Sequence, residues 1–171
     1  MFSHPPLSIL AVVPKGCVEL DSFFEYLQSM AHIKLAFRSA IPADLSPYQV
    51  VISVHGTQGP EGDEHLERFV AAGGGWLMLV HRSTAPLPQI FGAQSGQIGP
   101  TAELRVLFHD PEHPLARRLP AAIYLAGVYH PLESLADDTE LILYADWHYQ
   151  HRPMLVVRAA GEGKVACTTL Q

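Results

Sequence analysis

The sequence predicts an α/β fold, with a parallel central sheet and a β-rich extension towards its carboxyl end. Three features of the chain point there. The segment Val70 to Thr84, VAAGGGWLMLVHRST, ends an amphipathic helix on three glycines and enters a fully apolar run at once. Glycine stops helices, and an unbroken apolar run suits a strand buried on both faces. Apolar runs alternate with helical spacing through the first half, which implies parallel strands joined by right-handed crossovers. In the second half, strand-like runs follow one another with loops rather than helices between them.

Each element has its own signature. Leu7 to Val13 is an apolar run read as a buried first strand, and Pro14-Lys15-Gly16 is a turn. Asp21 is placed to cap a helix on which Phe23, Phe24, Leu27, Met30 and Ala31 fall at helical spacing. Lys34 to Arg38 alternates polar and apolar, like an edge strand. Pro42 to Pro47 is a loop, and Val50 to Val54 is a β-branched buried strand. Gly56 to Gly62 reads as a glycine-rich loop. Glu64 to Ala72 reads as a helix with Leu66, Phe69 and Val70 inward, and Trp76 to Val80 as the next strand. Ala85 to Pro100 is rich in Gly, Pro, Gln and Ser, with a short helix around Leu87 to Phe91. Runs at Leu104–Phe108, Ile123–Val128, Glu140–Tyr144, Met154–Val157 and Lys164–Leu170 then suggest an antiparallel extension of the sheet or a flap beside it. No helix follows the last run. Either the natural chain extends past Gln171, or something else covers that face, as a homo-oligomer would.

A length of 171 residues fits one domain with a real core. With 48% apolar and 16% charged residues the chain does not have the composition of a disordered one. A net charge of −6, counting ten histidines as neutral, argues against binding nucleic acid through its phosphates. Cys17 and Cys167 form no CxxC pair, which suits a reducing cytoplasmic setting. Leu7 to Val13 is too short to span a membrane and lacks the basic flank of a signal peptide.

Candidate chemistry gathers at strand ends. In a flavodoxin-like strand order the strands ending at Val54 and Val80 are neighbours, and each is followed by histidine, His55 and His81. Imidazole can move a proton near neutral pH or ligate a metal. Lys15 and Gly16 would share that rim, with Gly56, while Arg82, Ser83 and Thr84 add an anion-binding fork and two hydroxyls. The alternative is that both histidines only bond loop carbonyls. His130, in Val-Tyr-His-Pro, would complete a three-histidine set with His55 and His81 for a divalent metal such as zinc. His148 and His151 read as a solvated hairpin turn, and Asp110, Glu112 and His113 as a structural turn. Ser83 lacks the glycines of a hydrolase elbow; Cys17 follows the first strand without a recognisable base; Cys167 lies mid-strand. No GxGxxG or Walker pattern supports nucleotide binding.

The order of strand, glycine-rich loop, helix and GGGWLMLVHRST resembles the ThuA-like (trehalose-utilisation) family of the class I glutamine amidotransferase-like superfamily. Residues 109–120, HDPEHPLARRLP, are similar to that family's "dHPitrGLP" segment. Residues 127–131, GVYHP, fall at its "DELY"-type motif. Residues 153–170, with GEGKV at 161–165 and TTL at 168–170, are similar to its ending "P…W…yGkGRVfYtsLGH". The resemblance covers about residues 45 to 170. It implies a flavodoxin-like, three-layer fold and a site for a sugar-derived small molecule. His81 and His55 would be acid/base or metal-binding groups; Arg82 and Ser83 would orient the ligand, with Tyr129 and His130 beside it. The departures bear on activity. Ala126 and Gly127 stand where acidic residues are usual, Gln171 replaces the final glycine, and the amino-terminal "tktaGfrH"-like turn is not evident. The strand after the triple glycine offers His81 where glutamine-hydrolysing members carry cysteine, so glutaminase chemistry is not expected. A non-catalytic module for ligand sensing or protein interaction is the alternative.

Overall fold

A computed structural model of the chain describes residues 5–14, 20–147 and 150–170. The strands are β1 (Leu7–Val12), β2 (Ile33–Arg38), β3 (Val50–Val54), β4 (Gly75–Leu79), β5 (Gln94–Ser95), β6 (Thr101–Phe108), β7 (Ala122–Val128), β8 (Leu132–Glu133), β9 (Thr139–Trp147), β10 (Gln150–Ala160) and β11 (Gly163–Thr168). The helices are α1 (Asp21–Ser29) and α2 (Gly59–Ala71). Nine strands form one mixed sheet in the order β2-β1-β3-β4-β11-β10-β9-β6-β7, and β5 pairs with β8 alone. Pairing is parallel from β2 to β11 and antiparallel from β11 to β7. The second half is therefore an extension of the same sheet, with β5 and β8 as a small separate ribbon.

The two-residue alternation of β1 and β3 divides their side chains between two cores. Leu10, Val12 and Val51 pack with Trp76, Met78 and Val165, and with Leu66 and Val70 of α2. Ile9, Ala11, Ile52, Val54 and Leu79 pack with Phe24 of α1. A third cluster, with Leu104, Val106, Ile142 and Met154 at its centre, fills one face of the antiparallel half. In the parallel half the Trp76 indole N–H donates to the buried Ser53 hydroxyl at 2.8 Å.

Several boundaries differ from the expectation. Leu20, not Asp21, occupies the N-cap of α1, and no side chain caps it; Asp21 instead places its charge in the first turn. Much of the segment read as a loop at 56–62 is helix, because Pro60 is tolerated in the first turn and Glu61 complements the helix dipole there. The short helix around Leu87–Phe91 is one 3₁₀ turn, Gln89–Phe91. β10 is much longer than Met154–Val157, and Pro153 sits inside it at a register irregularity, where a missing N–H is tolerated.

The last strand, β11, lies between β4 and β10 inside the sheet, paired along both of its edges. The reason is the β10–β11 hairpin, which docks on the end of α2. Glu162 N–H donates to Ala71 C=O at 3.2 Å and Lys164 N–H to Gly74 C=O at 3.3 Å. Gly161 has φ +60°, and Gly163 lies so close to the Gly74 and Val70 carbonyls that a β-carbon would collide with both.

Candidate functional site

The chain turns back on itself between β1 and β3. β1 leads by α1 to β2 on one side, while β3 leads by α2 to β4 on the other. Crevices outside the carboxyl ends of strands at such a reversal are the usual ligand sites of open α/β sheets. His55 follows β3 and its N–H donates to Leu79 C=O of β4 at 2.9 Å, so the two strand ends are tied together. Val80 N–H donates to Thr168 C=O, carrying the edge across to β11, and the His81 N–H turns back to Leu79 C=O. Arg82 then adopts φ 45°. That is a left-handed conformation rare for a side-chain-bearing residue, of the sort that clusters where a chain must turn sharply at a site.

Two further segments close over this edge. The His55 ring reaches the loop after β4, where Nε2 lies 3.1 Å from the Pro86 carbonyl. The Ser95 hydroxyl, on β5, donates to the Ser83 carbonyl at 2.6 Å and lies 2.8 Å from Nε2 of His130. His130, on the link from β7 to β8, is fully buried. Burial holds its pKa below the ordinary histidine value, a backbone hydrogen bond with Gly96 acts against this, and the charge of His55 adds to the lowering. Asp63 of α2 also responds to His55. Burial raises its carboxyl pKa, and the imidazole offsets part of that rise.

The hydrogen-bond inventory singles out this edge. Among the described residues, the buried side-chain polar atoms without a hydrogen-bond partner are Nδ1 of His55, His81 and His130, and the amide of Gln58. All four residues sit on segments leaving β3 and β4 or tied to those segments. Buried polar atoms are satisfied almost everywhere in folded proteins, so this concentration sets the edge apart from the other described residues.

The expected residues are thus partly brought together. His55 and His81 stand at neighbouring strand ends, with Gly56 at φ +79° beside them. His130 joins through Ser95 and Ser83. Arg82 and Thr84 are exposed on the rim. The three histidines do not form a metal centre: among the described residues no three His, Cys, Asp or Glu side chains group closely enough to hold an ion. His55 and His130 each direct Nε2 to a separate partner, which fixes the rings to different segments. Tyr129, directly before His130, lines a cleft of about 470 Å³ with Gln97, Glu133, Gln150 and Arg152. Burial raises its pKa, and the nearby Arg152 guanidinium works against that rise. Cys167 is sealed in β11, its thiol pushed up to about 12 by burial. His151 stacks on Tyr144 at 4.4 Å, and the Asp110 carboxylate accepts the Glu112 N–H in a structural turn. Lys15, Gly16, Cys17, His148 and Gln171 lie outside the described residues.

Ser95, Gln58 and Asp63 were not anticipated. The latter two could have been found had Pro60 and Glu61 been taken as the start of a helix, since Gln58 is then its N-cap and Asp63 lies in its second turn. Ser95 has no local signal, because only the β5–β8 pairing brings it to His130.

No protein-family model matches the chain, and no curated protein matches it in sequence. Solved structures do share its fold. A ThuA-like protein from Bacteroides uniformis superposes with TM-score 0.71 at 14% identity, over 99% of this chain and 84% of that one. A cytoplasmic protein of Salmonella typhimurium LT2 gives 0.73 at 14%, over 96% and 88%. A β-galactosidase from Bacillus circulans sp. alkalophilus gives 0.70 at 17%, over 96% of this chain but 28% of the enzyme. The chain therefore has the fold of ThuA-like proteins, a fold that also forms part of a larger glycosidase. Among the described residues no helix is long and apolar enough to cross a membrane.

Proposed function

We propose that this chain is a cytoplasmic ThuA-like domain of flavodoxin-like, amidotransferase-like architecture, which binds or processes a sugar-derived small molecule at the carboxyl edge of β3 and β4. The observation that carries this reading is the set of unpartnered buried atoms on His55, Gln58, His81 and His130 at that edge. A polyhydroxylated ligand offers many hydrogen-bonding groups in a small volume. The fold's occurrence in ThuA-like proteins and within a β-galactosidase supports the sugar class by analogy. His55, with Asp63 near it, is the best-placed group to hold or move a proton. Arg82 and Ser83 on the following loop are placed to orient the ligand.

Glutaminase activity is not part of this reading. Cys167 is buried mid-strand with its thiol pushed up to about 12, so it carries almost no thiolate near neutral pH. Ser95 and His130 approach like a nucleophile and its base. However, the single hydroxyl proton is directed to the Ser83 carbonyl, so the imidazole donates to the serine rather than receiving from it. That same absence of a poised nucleophile among the described residues favours a second reading, a ligand-sensing module without turnover.

The test is calorimetric titration of the protein with free sugars, D-galactose and trehalose among them, alongside the His55→Ala and His81→Ala variants. The expected result is measurable binding that weakens about tenfold or more in each variant, with unchanged melting temperature and no ammonia released from glutamine. Absence of binding to every sugar, or binding indifferent to both substitutions, would overturn the reading.

A further inference from the structure

The cleft of about 470 Å³ lined by Tyr129 presents two opposite charges that do not meet. Tyr129 and His130 are neighbours in the chain, but His130 turns to Ser95 while Tyr129 lines the cleft. Gly99 N–H donates to Tyr129 C=O at 2.7 Å, which ties the wall after β5 to the segment after β7. Arg152, near the start of β10, is half-buried in the same cleft. Its Nε and Nη2 donate to the Gln150 side-chain oxygen at 2.9 and 2.6 Å, and its guanidinium also bonds the Tyr129 phenol. Both partners are neutral, and a guanidinium carries more N–H donors than they take up. Glu133, positioned by the β5–β8 pairing, lines the cleft too. Its charge and that of Arg152 both act on the Tyr129 phenol, in opposite senses. Among the described residues, Arg152 and Glu133 make no ion pair with each other or with any third group, whereas Arg105 and Arg158 are paired with Asp146 and Asp138.

We propose that this cleft binds a zwitterion, a free amino acid with an aliphatic side chain, its carboxylate on Arg152 and its ammonium on Glu133. The charge pattern selects among ligand classes. A simple anion gains Arg152 but faces the Glu133 carboxylate, and a simple cation gains Glu133 but faces Arg152; like charges brought together cost affinity. A neutral polyol leaves both charges without an opposite one. A dipolar ligand pairs both. The planar guanidinium suits a carboxylate, which it can hold by two parallel N–H bonds. The Gln150 oxygen takes the Nε side of the fork and so orients the rest of it. Ile98 and Pro100 give the cleft an apolar wall for the ligand's side chain. The site is separate from the β3–β4 edge and does not rest on the sugar reading.

The probes are L-leucine and the two analogues that keep one of its charges, 4-methylpentanoate and 3-methylbutylamine, titrated calorimetrically near neutral pH. Leucine should bind the unaltered protein at least about tenfold more tightly than either analogue, a comparison that needs no variant to fold. Glu133→Gln should remove the advantage over 4-methylpentanoate, and Arg152→Gln the advantage over 3-methylbutylamine, each without a change in melting temperature. D-Galactose should not displace leucine. An analogue that binds as tightly as leucine overturns the proposal, as does displacement of leucine by galactose. Absence of leucine binding, or leucine binding indifferent to both substitutions, overturns it equally. The sugar reading is decided separately, by His55→Ala and His81→Ala.

Discussion

At the scale of single residues, the buried histidine makes a signed prediction. The folded state holds the pKa of His130 below its unfolded value near 6.5, so the unfolded chain binds more protons as pH falls through that range. His130 therefore leaves stability intact above the unfolded value and subtracts from it as pH falls below. Melting temperature against pH should decline below about pH 6.5, with a shallower slope in His130→Gln. The Ser53–Trp76 pair makes another. Ser53→Ala leaves a sealed indole N–H without an acceptor, and urea unfolding should show a loss of about 1–3 kcal/mol. Cys167 should resist thiol reagents in the folded Cys17→Ser variant and react on unfolding; reaction in the native state would contradict its burial. Much of the candidate site was legible at this scale. His55 and His81 could be read because each directly follows an apolar run, and position after a strand is a sequence property. Ser95 could not, because its place beside His130 is made by a pairing of distant two-residue strands.

At the scale of elements, the glycines of the α2–β4 turn and the β10–β11 hairpin form one joint. Gly163 starts β11 against the Val70 and Gly74 carbonyls, where a methyl group meets backbone that has no room to yield. Gly163→Ala should cost more than about 3 kcal/mol, measured by urea unfolding, whereas Gly73→Asn, at an open position with φ +103°, should cost far less. The triple glycine was readable as a helix stop. That the hairpin docks onto the same turn was not, because the bonds of Glu162 and Lys164 to Ala71 and Gly74 join segments far apart in sequence. Residues 59–63 show the opposite failure. Gly59 and Gly62 suggested a loop, yet Pro60 and Glu61 suit a helix start, and tertiary packing of Leu66 and Val70 decided the matter.

For the whole molecule, the first half was readable because βαβ punctuation is local, and the antiparallel second half because its runs lack helices between them. The placement of β11 was hidden, since an apolar strand carries no mark of which neighbours it will find. Trp76 lies in β4 of the parallel half, and Trp147 is the last residue of β9 in the antiparallel half. Trp76→Phe and Trp147→Phe variants should show coincident urea midpoints by fluorescence once each is referred to its own stability by circular dichroism; two separated transitions would mean that the halves fold independently. The interior position of β11 also dictates an order of assembly. Four strands of the parallel half precede the intervening β5–β10 segment, and their sheet is completed only when β11 returns to pair with β4. The closure of that long chain loop must precede the reward of the contacts, which is the circumstance that slows folding. Until β11 arrives, β4 keeps a bare apolar edge, so the nascent chain passes through a stage in which a strand destined for the core is open to pairing with a stranger.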